Sequence, residues 1–256
     1  MTYGICNLSA IALRKEDRHG SEMVSQLLYN ETYTVLDKSR EWVLVQTQHI
    51  SPSTLLNDGP STGSGTCLYQ GWIQAKQFCE ISDEDYITLK TKKPFLVNKP
   101  VVEYSGKFLT LGTPLYEPHP DAIEMPTEFR PEMMVDYAKL LLGAPYLWGG
   151  RTTFGIDCSG MVQVCARLAG LLLPRDSSQQ VKEGDLVYFL QETRPGDLAF
   201  FGDEDGHITH VGIVMGNEQI IHCSGQVRID YLDQTGIFNK ERNEHTHRLQ
   251  VVKRMS

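Results

Sequence analysis

The sequence lacks any long apolar run, which argues against a membrane-spanning segment. A helical span needs about 18 or more consecutive apolar residues, and none of the 256 residues belongs to such a stretch. The chain also opens at Met1 without a basic segment followed by an apolar one, so no secretory leader is visible. From that absence we expect a cytoplasmic protein, or a periplasmic or secreted one if a leader has been removed.

Runs of one charge and paired cysteine motifs are absent as well. The net charge of -8 is spread along the chain without long acidic blocks, which argues against nucleic acid and membranes as partners. The six cysteines form no CxxC pair and no disulfide-framework spacing, which suggests a reducing compartment. What remains is an ordinary globular composition, 41% hydrophobic and 22% charged, with enough length for about two domains.

Residues 1–82 consist mainly of short strand-like runs separated by turn residues. The alternation of apolar and polar side chains at residues 42–46 is typical of a half-buried strand. Many such strands in a short segment predict a small all-β barrel. The other predicted strands lie at residues 3–8, 10–13, 23–28, 32–37 and 71–73.

Two stretches interrupt this pattern. Residues 51–66 form a long polar loop, which is either mobile or functional. Residues 83–125 carry further strand-like runs and then several prolines that break regular structure. Because this segment is too short for a second barrel, we interpret it as a shortened β-module or a linker. Its strand-like runs lie at residues 86–89, 94–97, 101–104 and 107–112.

Residues 126–256 begin with helical signals and end with strand-like ones. Pro131 suits the first position of a helix, and a second helix is predicted from Cys158 to near Gly170. Five strand candidates follow in a meander. Helices before an antiparallel sheet indicate an α+β domain. The apolar stripe of the first helix comprises Met133, Met134, Tyr137, Leu140 and Leu141.

Cys158 stands where the second helix begins, after a glycine-rich loop at residues 143–150. The free N–H groups and the dipole of a helix N-terminus stabilise negative charge. We therefore expect a lowered pKa and partial thiolate character for this cysteine near neutral pH. The same N–H groups would stabilise an oxyanion. A buried cysteine that merely packs is the competing interpretation.

Two histidines on one predicted hairpin would supply a base for this thiol. His210 and His222 flank a turn at residues 216–218, and pairing about that turn sets Gly212 opposite His222. The two histidines are then diagonal neighbours on one face, within side-chain reach. A thiol nucleophile needs such a base and a third group that orients it. This arrangement is favoured over two ordinary core histidines.

The other cysteines and histidines of this region are interpreted as structural. Cys165 is expected in the core of its helix, and Cys223 points away from the histidine face by strand alternation. His245 and His247 alternate in a C-terminal strand without a cysteine or carboxylate pattern around them, so we expect both at the surface. The sequence supports no metal site and no cofactor.

The C-terminal motifs resemble those of the NlpC-type cell-wall peptidases, which are papain-like cysteine enzymes. The resemblance implies that Cys158 is the nucleophile, His210 the base and His222 the group that orients it, in a papain-like domain over residues 126–256. The motifs, which match in order and spacing, are Tyr146-x-Trp148-Gly149-Gly150, Asp157-Cys158-Ser159-Gly160, Arg194-Pro-Gly-Asp197, His210-Val-Gly-Ile and Ile-His222.

The first 82 residues resemble the bacterial SH3-like domain, at residues 7–14, 21–28, 41–45 and 69–73. An SH3-like domain before such a peptidase is similar to the γ-D-glutamyl-L-diamino-acid endopeptidases, or dipeptidyl-peptidase VI group. This resemblance implies cleavage between γ-D-glutamate and diaminopimelate or lysine. The implied substrates are muropeptides with a free N-terminal L-alanine, cut during murein peptide recycling.

A substrate-binding set follows from this resemblance. A free amine needs an anion, which Asp157 beside the nucleophile and Glu22 on the barrel would supply. The alternative for Asp157 is a helix N-cap. The alternative for Glu22 and Tyr69 is an ordinary position on the barrel surface. The remaining members would hydrogen-bond the dipeptide, namely Tyr146, Ser159 and Ser177, or wall its pocket from the barrel, namely Tyr69.

Other functions stay open on the sequence. A secreted hydrolase of intact cell wall would use the SH3-like domain as a targeting module. A non-catalytic binding protein would lack the cysteine or the base, and both are present. A thiol acyltransferase would leave a ligated product. The preference between diaminopimelate and lysine and the oligomeric state are left open.

Overall fold

A computed structural model describes residues 1–50 and 66–256, which form two compact units. The first unit comprises Met1–Met125 and Trp148–Thr153, and the second comprises Pro126–Leu147 and Phe154–Ser256. The predicted polar loop lies outside the described residues, except that Thr66 begins a strand. No helix within the described ranges is long and apolar enough to cross a membrane.

One antiparallel sheet makes up most of the first unit, with the strand order β3-β2-β6-β5-β4-β1-β7. Its alternating side chains bury a core around Ile11, Leu13, Tyr33 and Val45, as the period-two pattern predicts. The expected small all-β SH3-like domain is confirmed. Its strands are β1 (Thr2–Ile5), β2 (Ala10–Arg14), β3 (Met23–Leu28), β4 (Thr32–Lys38), β5 (Trp42–Ile50), β6 (Thr66–Gln74) and β7 (Glu80–Ile81), and a 3₁₀ turn lies at Ala75–Gln77.

A helix, α1 (Asp83–Thr91), stands where the sequence predicts a strand at residues 86–89, so that prediction is wrong. The Ser82 hydroxyl caps the helix and three acidic residues occupy its first turn, both of which stabilise a helix N-terminus. Tyr86 is buried and stacks on Tyr3 with 3.8 Å between ring centroids. This capping outweighs the β propensity of the run that follows it.

Two small sheets complete residues 95–124, and the strand-like runs predicted at 94–97, 101–104 and 107–112 are confirmed. β9 pairs with β10 as a hairpin, and β8 pairs with β11 and β12. The strands are β8 (Phe95–Val97), β9 (Val101–Tyr104), β10 (Lys107–Thr110), β11 (Pro114–Leu115) and β12 (Ala122–Glu124).

The segment Trp148–Thr153, with the short strand β13 (Arg151–Thr152), also belongs to the first unit. The Arg151 guanidinium is 3% exposed and donates to both carboxylate oxygens of Glu31, at 2.7 and 3.0 Å. Gly149 has φ +77°, and a Cβ there would lie 2.3 Å from the Met23 carbonyl oxygen. Both glycine properties, positive φ and close approach, are therefore required at this motif position.

The second unit combines three helices with a closed antiparallel sheet. The sheet order is β15-β21-β16-β17-β18-β19-β20, and β20 also pairs with β21, so six of the strands form a barrel. The α+β class is confirmed, whereas the closure was not predicted. The elements are α2 (Pro131–Lys139), β14 (Gly155–Ile156), α3 (Cys158–Leu168), α4 (Ser177–Gln180), β15 (Asp185–Val187), a 3₁₀ turn (Leu190–Glu192), β16 (Leu198–Gly202), β17 (Ile208–Gly216), β18 (Gln219–Ser224), β19 (Gln226–Leu232), β20 (Gly236–Asn239) and β21 (Glu244–Arg254).

Helices α2 and α3 and the β17–β18 hairpin follow the sequence prediction closely. In α2, Met134 and Tyr137 are buried as predicted, although Leu140 is exposed. Gly212 pairs with His222, which confirms the predicted register. Asn217 and Glu218 both have positive φ in the connecting turn, as a two-residue hairpin requires.

Candidate active site

Cys158 is the first residue of α3, and Asp157 is its N-cap. The Asp157 carboxylate accepts the Gly160 backbone N–H at 2.7 Å, so the predicted cap is confirmed. The backbone N–H groups of Ser159 and Val211 donate to the Cys158 sulfur. Because Val211 directly follows His210 in β17, the thiol lies beside the strand that carries the candidate base.

The expectation of a lowered thiol pKa is wrong. Cys158 is only 6% exposed, and burial raises its pKa to about 12, with a further increase from the nearby Asp157 charge. The amides of Ser159 and Val211 and the charge of Arg175 act in the opposite direction but do not compensate. The thiol is therefore protonated at neutral pH, and a base must take its proton when it attacks.

The Asp157 carboxylate is held in a buried ion pair with Arg175. The guanidinium is 1% exposed and donates to both carboxylate oxygens, at 3.0 Å from Nη1 and 2.6 Å from Nη2. Nη1 also donates to Ser159 Oγ at 2.9 Å. Arg175 neutralises the aspartate and ties both neighbours of the nucleophile in place. Sequence reasoning gave it no role, although a cation directly after the apolar run at 171–174 is a signal for a buried partner.

His210 and His222 lie together inside the closed sheet, as the hairpin register predicts. Nε2 of His210 is 2.9 Å from Nδ1 of His222, and Nε2 of His222 is 3.0 Å from Oδ2 of Asp230. Arg228 holds the same carboxylate from the other side, with Nε 2.7 Å from Oδ2 and Nη2 3.1 Å from Oδ1. These contacts form a chain from His210 through His222 to Asp230, which we call the histidine relay.

The relay fixes the protons on both imidazoles. Burial alone would raise the pKa of Asp230, but hydrogen bonds from His222 and Arg228 lower it, so the carboxylate is ionised and only accepts. His222 then donates from Nε2 and accepts at Nδ1 from the Nε2–H of His210. Burial, with the neighbouring His222 and His247, holds the pKa of His210 well below its ordinary value. A neutral His210 is left with its Nδ1 lone pair as the base.

His247 belongs to this cluster, so its predicted surface position is wrong. It is half-buried and stacks on His210 with 4.2 Å between ring centroids. The pairing of β21 with both β16 and β20 explains this, because it closes the sheet and sets β21 beside β16, a strand far from it in sequence. His245 on the same strand is exposed and paired with Asp233, as predicted for a surface residue. Cys165 is buried, as expected, and Cys223, for which both a core and a surface position were open, is buried as well.

Tyr146 and Ser177 also lie in the second unit. Tyr146 is half-buried near Cys158, and its pKa is raised mainly by burial and further by the Asp157 charge. Its hydroxyl is therefore a protonated donor close to the candidate nucleophile. Ser177 is the first residue of α4, which packs on β17. Their predicted contacts with substrate stay predictions.

Glu22 and Tyr69 lie in the first unit. The exposed Glu22 accepts the indole N–H of Trp148 at 2.8 Å. The Tyr69 hydroxyl donates to the Val24 carbonyl at 3.1 Å, and its ring packs on the barrel core. Their roles in substrate binding stay predictions as well.

The second unit thus brings together a thiol at a helix N-terminus and a buried base whose tautomer is set by a second histidine and a carboxylate. Two residues of this arrangement, Asp230 and Arg175, were missed on the sequence. In β19 the apolar Val227 and Ile229 alternate with the polar Arg228 and Asp230, so the pattern assigns Asp230 to a polar face and gives no signal for its burial.

Comparisons with known proteins agree with this arrangement. The NlpC/P60 family matches residues 143–246, and the bacterial dipeptidyl-peptidase SH3 domain matches residues 13–49. A γ-D-glutamyl-L-lysine dipeptidyl-peptidase of Bacillus subtilis is 29% identical over 227 residues, which cover 77% of this chain and 71% of that protein. One of Bacillus cereus is 25% identical over 238 residues, covering 80% and 68% of the two chains.

A solved structure shares the fold. The crystal structure of an NlpC/P60 family protein from Bacillus cereus superposes with a TM-score of 0.75 at 22% identity, covering 98% of this chain and 99% of that one. With these matches and the thiol and histidines described above, the protein is a cysteine peptidase that carries an NlpC/P60 domain after a bacterial SH3 domain.

Proposed function

We propose that this peptidase cuts the bond between γ-D-glutamate and the diamino acid in peptidoglycan stem peptides that begin with a free L-alanine. The observation that carries the proposal is the histidine relay beside the Cys158 thiol, in a chain similar across both domains to relatives named γ-D-glutamyl-L-lysine dipeptidyl-peptidase. The names of those relatives suggest which bond is cut, and the site supplies a nucleophile and a base for its cleavage.

In the proposed reaction, His210 acts first as base and then as acid. Its Nδ1 takes the thiol proton as the sulfur of Cys158 attacks the γ-carbonyl carbon, and the carbonyl electrons move onto oxygen. The backbone N–H of Cys158, the first residue of α3, stabilises that oxyanion. The imidazolium then protonates the leaving amine and the C–N bond breaks, which leaves a thioester.

Water completes the cycle. His210 takes a proton from the water as it attacks the thioester, and the sulfur leaves with that proton, so the dipeptide L-alanyl-D-glutamate is released. The Asp230 carboxylate stabilises the positive charge that the two histidines carry between these steps. No step needs the thiol to be ionised beforehand, which agrees with its raised pKa.

Mass spectrometry on a panel of tripeptides tests the proposal. We expect L-Ala-γ-D-Glu-L-Lys or its diaminopimelate counterpart to yield L-Ala-D-Glu and free diamino acid. Cys158→Ala should abolish product formation, and Cys165→Ala, which changes a buried cysteine of the same helix, should retain it. Equal turnover by Cys158→Ala and the parent protein would refute the assignment of the nucleophile.

The same panel tests the preference for small released peptides, as expected of a recycling enzyme. An N-acetylated tripeptide should be cut poorly, since it lacks the free amine. Purified sacculi should release no peptide. Efficient cleavage of sacculi or of the blocked tripeptide would instead favour a hydrolase of intact cell wall.

A further inference from the structure

Three imidazoles meet inside the closed sheet of the second unit, and the proposed reaction uses only two of them. The available nitrogen atoms of His210, His222 and His247 all lie within 4.8 Å of one another. His247 stacks on His210 and meets His222 edge to face, with centroids 5.6 Å apart. The stacking places a third nitrogen donor beside the hydrogen bond between the first two.

His222 and His247 each have a hydrogen-bond partner on the ring nitrogen that points away from the cluster. Asp230 Oδ2 lies 3.0 Å from Nε2 of His222, which leaves Nδ1 toward the cluster. Thr246 Oγ1 lies 2.8 Å from Nδ1 of His247, which leaves Nε2 available. Histidine ligands of metals characteristically carry such an oxygen partner on the other ring nitrogen, and a carboxylate in that position strengthens the ligand.

The type of donor atom also suits a metal. A histidine must be neutral to coordinate. Three imidazoles with one position left open are the donor set of borderline divalent metals, above all zinc.

We propose that His210, His222 and His247 form a binding site for zinc, and that zinc occupying it inhibits the peptidase reversibly. The metal would take Nε2 of His210 and Nδ1 of His222, the two atoms that hydrogen-bond to each other at 2.9 Å in the relay. The displaced proton of His210 then moves to Nδ1, the atom that serves as base. Because Nδ1 then carries a proton, it cannot accept the proton of the Cys158 thiol. The inhibition rests on the proposed function, whereas the binding does not.

Cobalt titration tests the binding without any substrate. Cys158→Ala, which removes the nearby thiol, is titrated with Co²⁺ and followed by its visible absorption, and Zn²⁺ is then added to displace it. We expect ligand-field bands at one equivalent of cobalt, without the near-ultraviolet charge-transfer band that a cysteine ligand gives. A sulfur band, or the absence of saturable binding, would overturn the site.

Matched variants assign the ligands. His247→Phe in the same background should bind Co²⁺ at least about tenfold more weakly, and His247→Gln serves if the phenylalanine variant fails to fold. His245→Ala, two residues away on the same strand and exposed, should bind as the parent does. Asp230→Asn should weaken binding by roughly 10- to 100-fold, as loss of the outer partner does at other metal sites. Equal affinity in the His247 variants would refute the site.

Inhibition is then measured with the cysteine restored. Micromolar Zn²⁺ should inhibit tripeptide cleavage and a chelator should restore it, and the midpoint should rise at least about tenfold in His247→Gln. An unchanged midpoint in this variant would mean that zinc acts elsewhere, for example on the thiol. If the protein binds Co²⁺ as expected but cuts no tripeptide, the zinc site stands and the proposed function fails.

Discussion

Nε2 of His222 lies 3.0 Å from Oδ2 of Asp230, and both residues are buried, at 1% and 6% exposure. The carboxylate acts on the base indirectly. It holds the proton of His222 on Nε2, so His222 accepts at Nδ1 from His210, and the lone pair of His210 is left on Nδ1. Asp230 is a positioning residue in this arrangement, and Arg228 keeps it ionised through two hydrogen bonds.

Asp230→Asn should lower kcat/KM for the tripeptide by roughly 10²- to 10⁴-fold, with little change in KM. The amide removes the charge that stabilises a protonated histidine pair and no longer dictates the tautomer. Steady-state kinetics on purified protein measures the effect, and circular dichroism checks the fold. Because a purely structural role would leave the pH dependence of the residual activity unchanged, a shift in that profile is expected too.

The exposed end of the same contact chain offers a control. Glu241 lies 3.3 Å from Nη1 of Arg228, and its side chain is 77% exposed. Glu241→Gln removes a charge that water screens, so kcat/KM should stay within about twofold of the parent. A loss in Glu241→Gln as large as in Asp230→Asn would show that the network acts as a whole and not through His222.

The buried ion pair at the nucleophile should matter for stability. Arg175→Met leaves the Asp157 carboxylate buried without its cation, which costs about 3–5 kcal/mol in comparable cases. Arg18→Met breaks an exposed pair with Glu16 and should cost less than about 1 kcal/mol. Urea unfolding followed by far-ultraviolet circular dichroism measures both.

Tryptophan fluorescence allows unfolding of the first unit to be followed separately in this experiment. All three, Trp42, Trp72 and Trp148, lie in the first unit, so their fluorescence follows that unit. We expect Arg175→Met to lower the midpoint seen by circular dichroism more than the midpoint seen by fluorescence. An equal shift in both signals would contradict a defect confined to the second unit.

Local features of the candidate site could be predicted from the sequence. The cap at Asp157 and the helix after Cys158 depend on a few neighbouring residues, and the Gly212–His222 register depends on one tight turn. Such features are determined by residues close in sequence, so a capping residue or a turn motif is enough to place them. The same reasoning placed His210 and His222 on one face.

Features that depend on distant pairings could not be predicted. His247 lies beside the histidine relay only because β21 pairs with both β16 and β20. No short sequence motif predicts these pairings. The raised pKa of Cys158 comes mainly from burial, a property of the packed domain that outweighs the helix N-terminus. Arg175 finds Asp157 across 18 positions of sequence. In each case tertiary packing determines the position, pKa or partner of the residue, and the local sequence pattern gives no prediction or a wrong one.

The motif glycine Gly149 should be intolerant of a side chain. Gly149→Ala places a Cβ 2.3 Å from the Met23 carbonyl oxygen at φ +77°, and we expect the first unit to lose roughly 1–3 kcal/mol. Gly106→Ala is the matched control, since it has φ +71° but no atom within 4 Å of the added Cβ. It should cost only about 1 kcal/mol. Tryptophan fluorescence during urea unfolding compares the two, and equal losses would mean that the contact with Met23 relaxes freely.

The pH dependence of activity should reveal a base that stays neutral under mildly acidic conditions. His210 works only when neutral, and burial holds its pKa well below the ordinary 6.5. The acid limb of kcat/KM should therefore lie below pH 6.5, and the high pKa of Cys158, about 12, predicts no rise in activity from thiol ionisation between neutral and mildly alkaline pH. Rates on the tripeptide from acid to mildly alkaline pH measure this, and a limb centred at or above 6.5 would refute a buried neutral base.

The free energy of unfolding should also depend on pH, and it should decrease as the pH falls. His210 and His247 bind protons more weakly in the folded than in the unfolded protein, so the unfolded state takes up more protons as the pH falls below about 6.5. Stability must then decrease from there toward pH 4, because the free energy of unfolding rises with pH wherever the unfolded state binds more protons. His247→Gln removes one of the two groups and should flatten this decrease, while His245→Gln should not. Thermal unfolding by circular dichroism across this range measures both slopes, and identical slopes in the His247 variant and the parent would mean that His247 titrates as an exposed histidine.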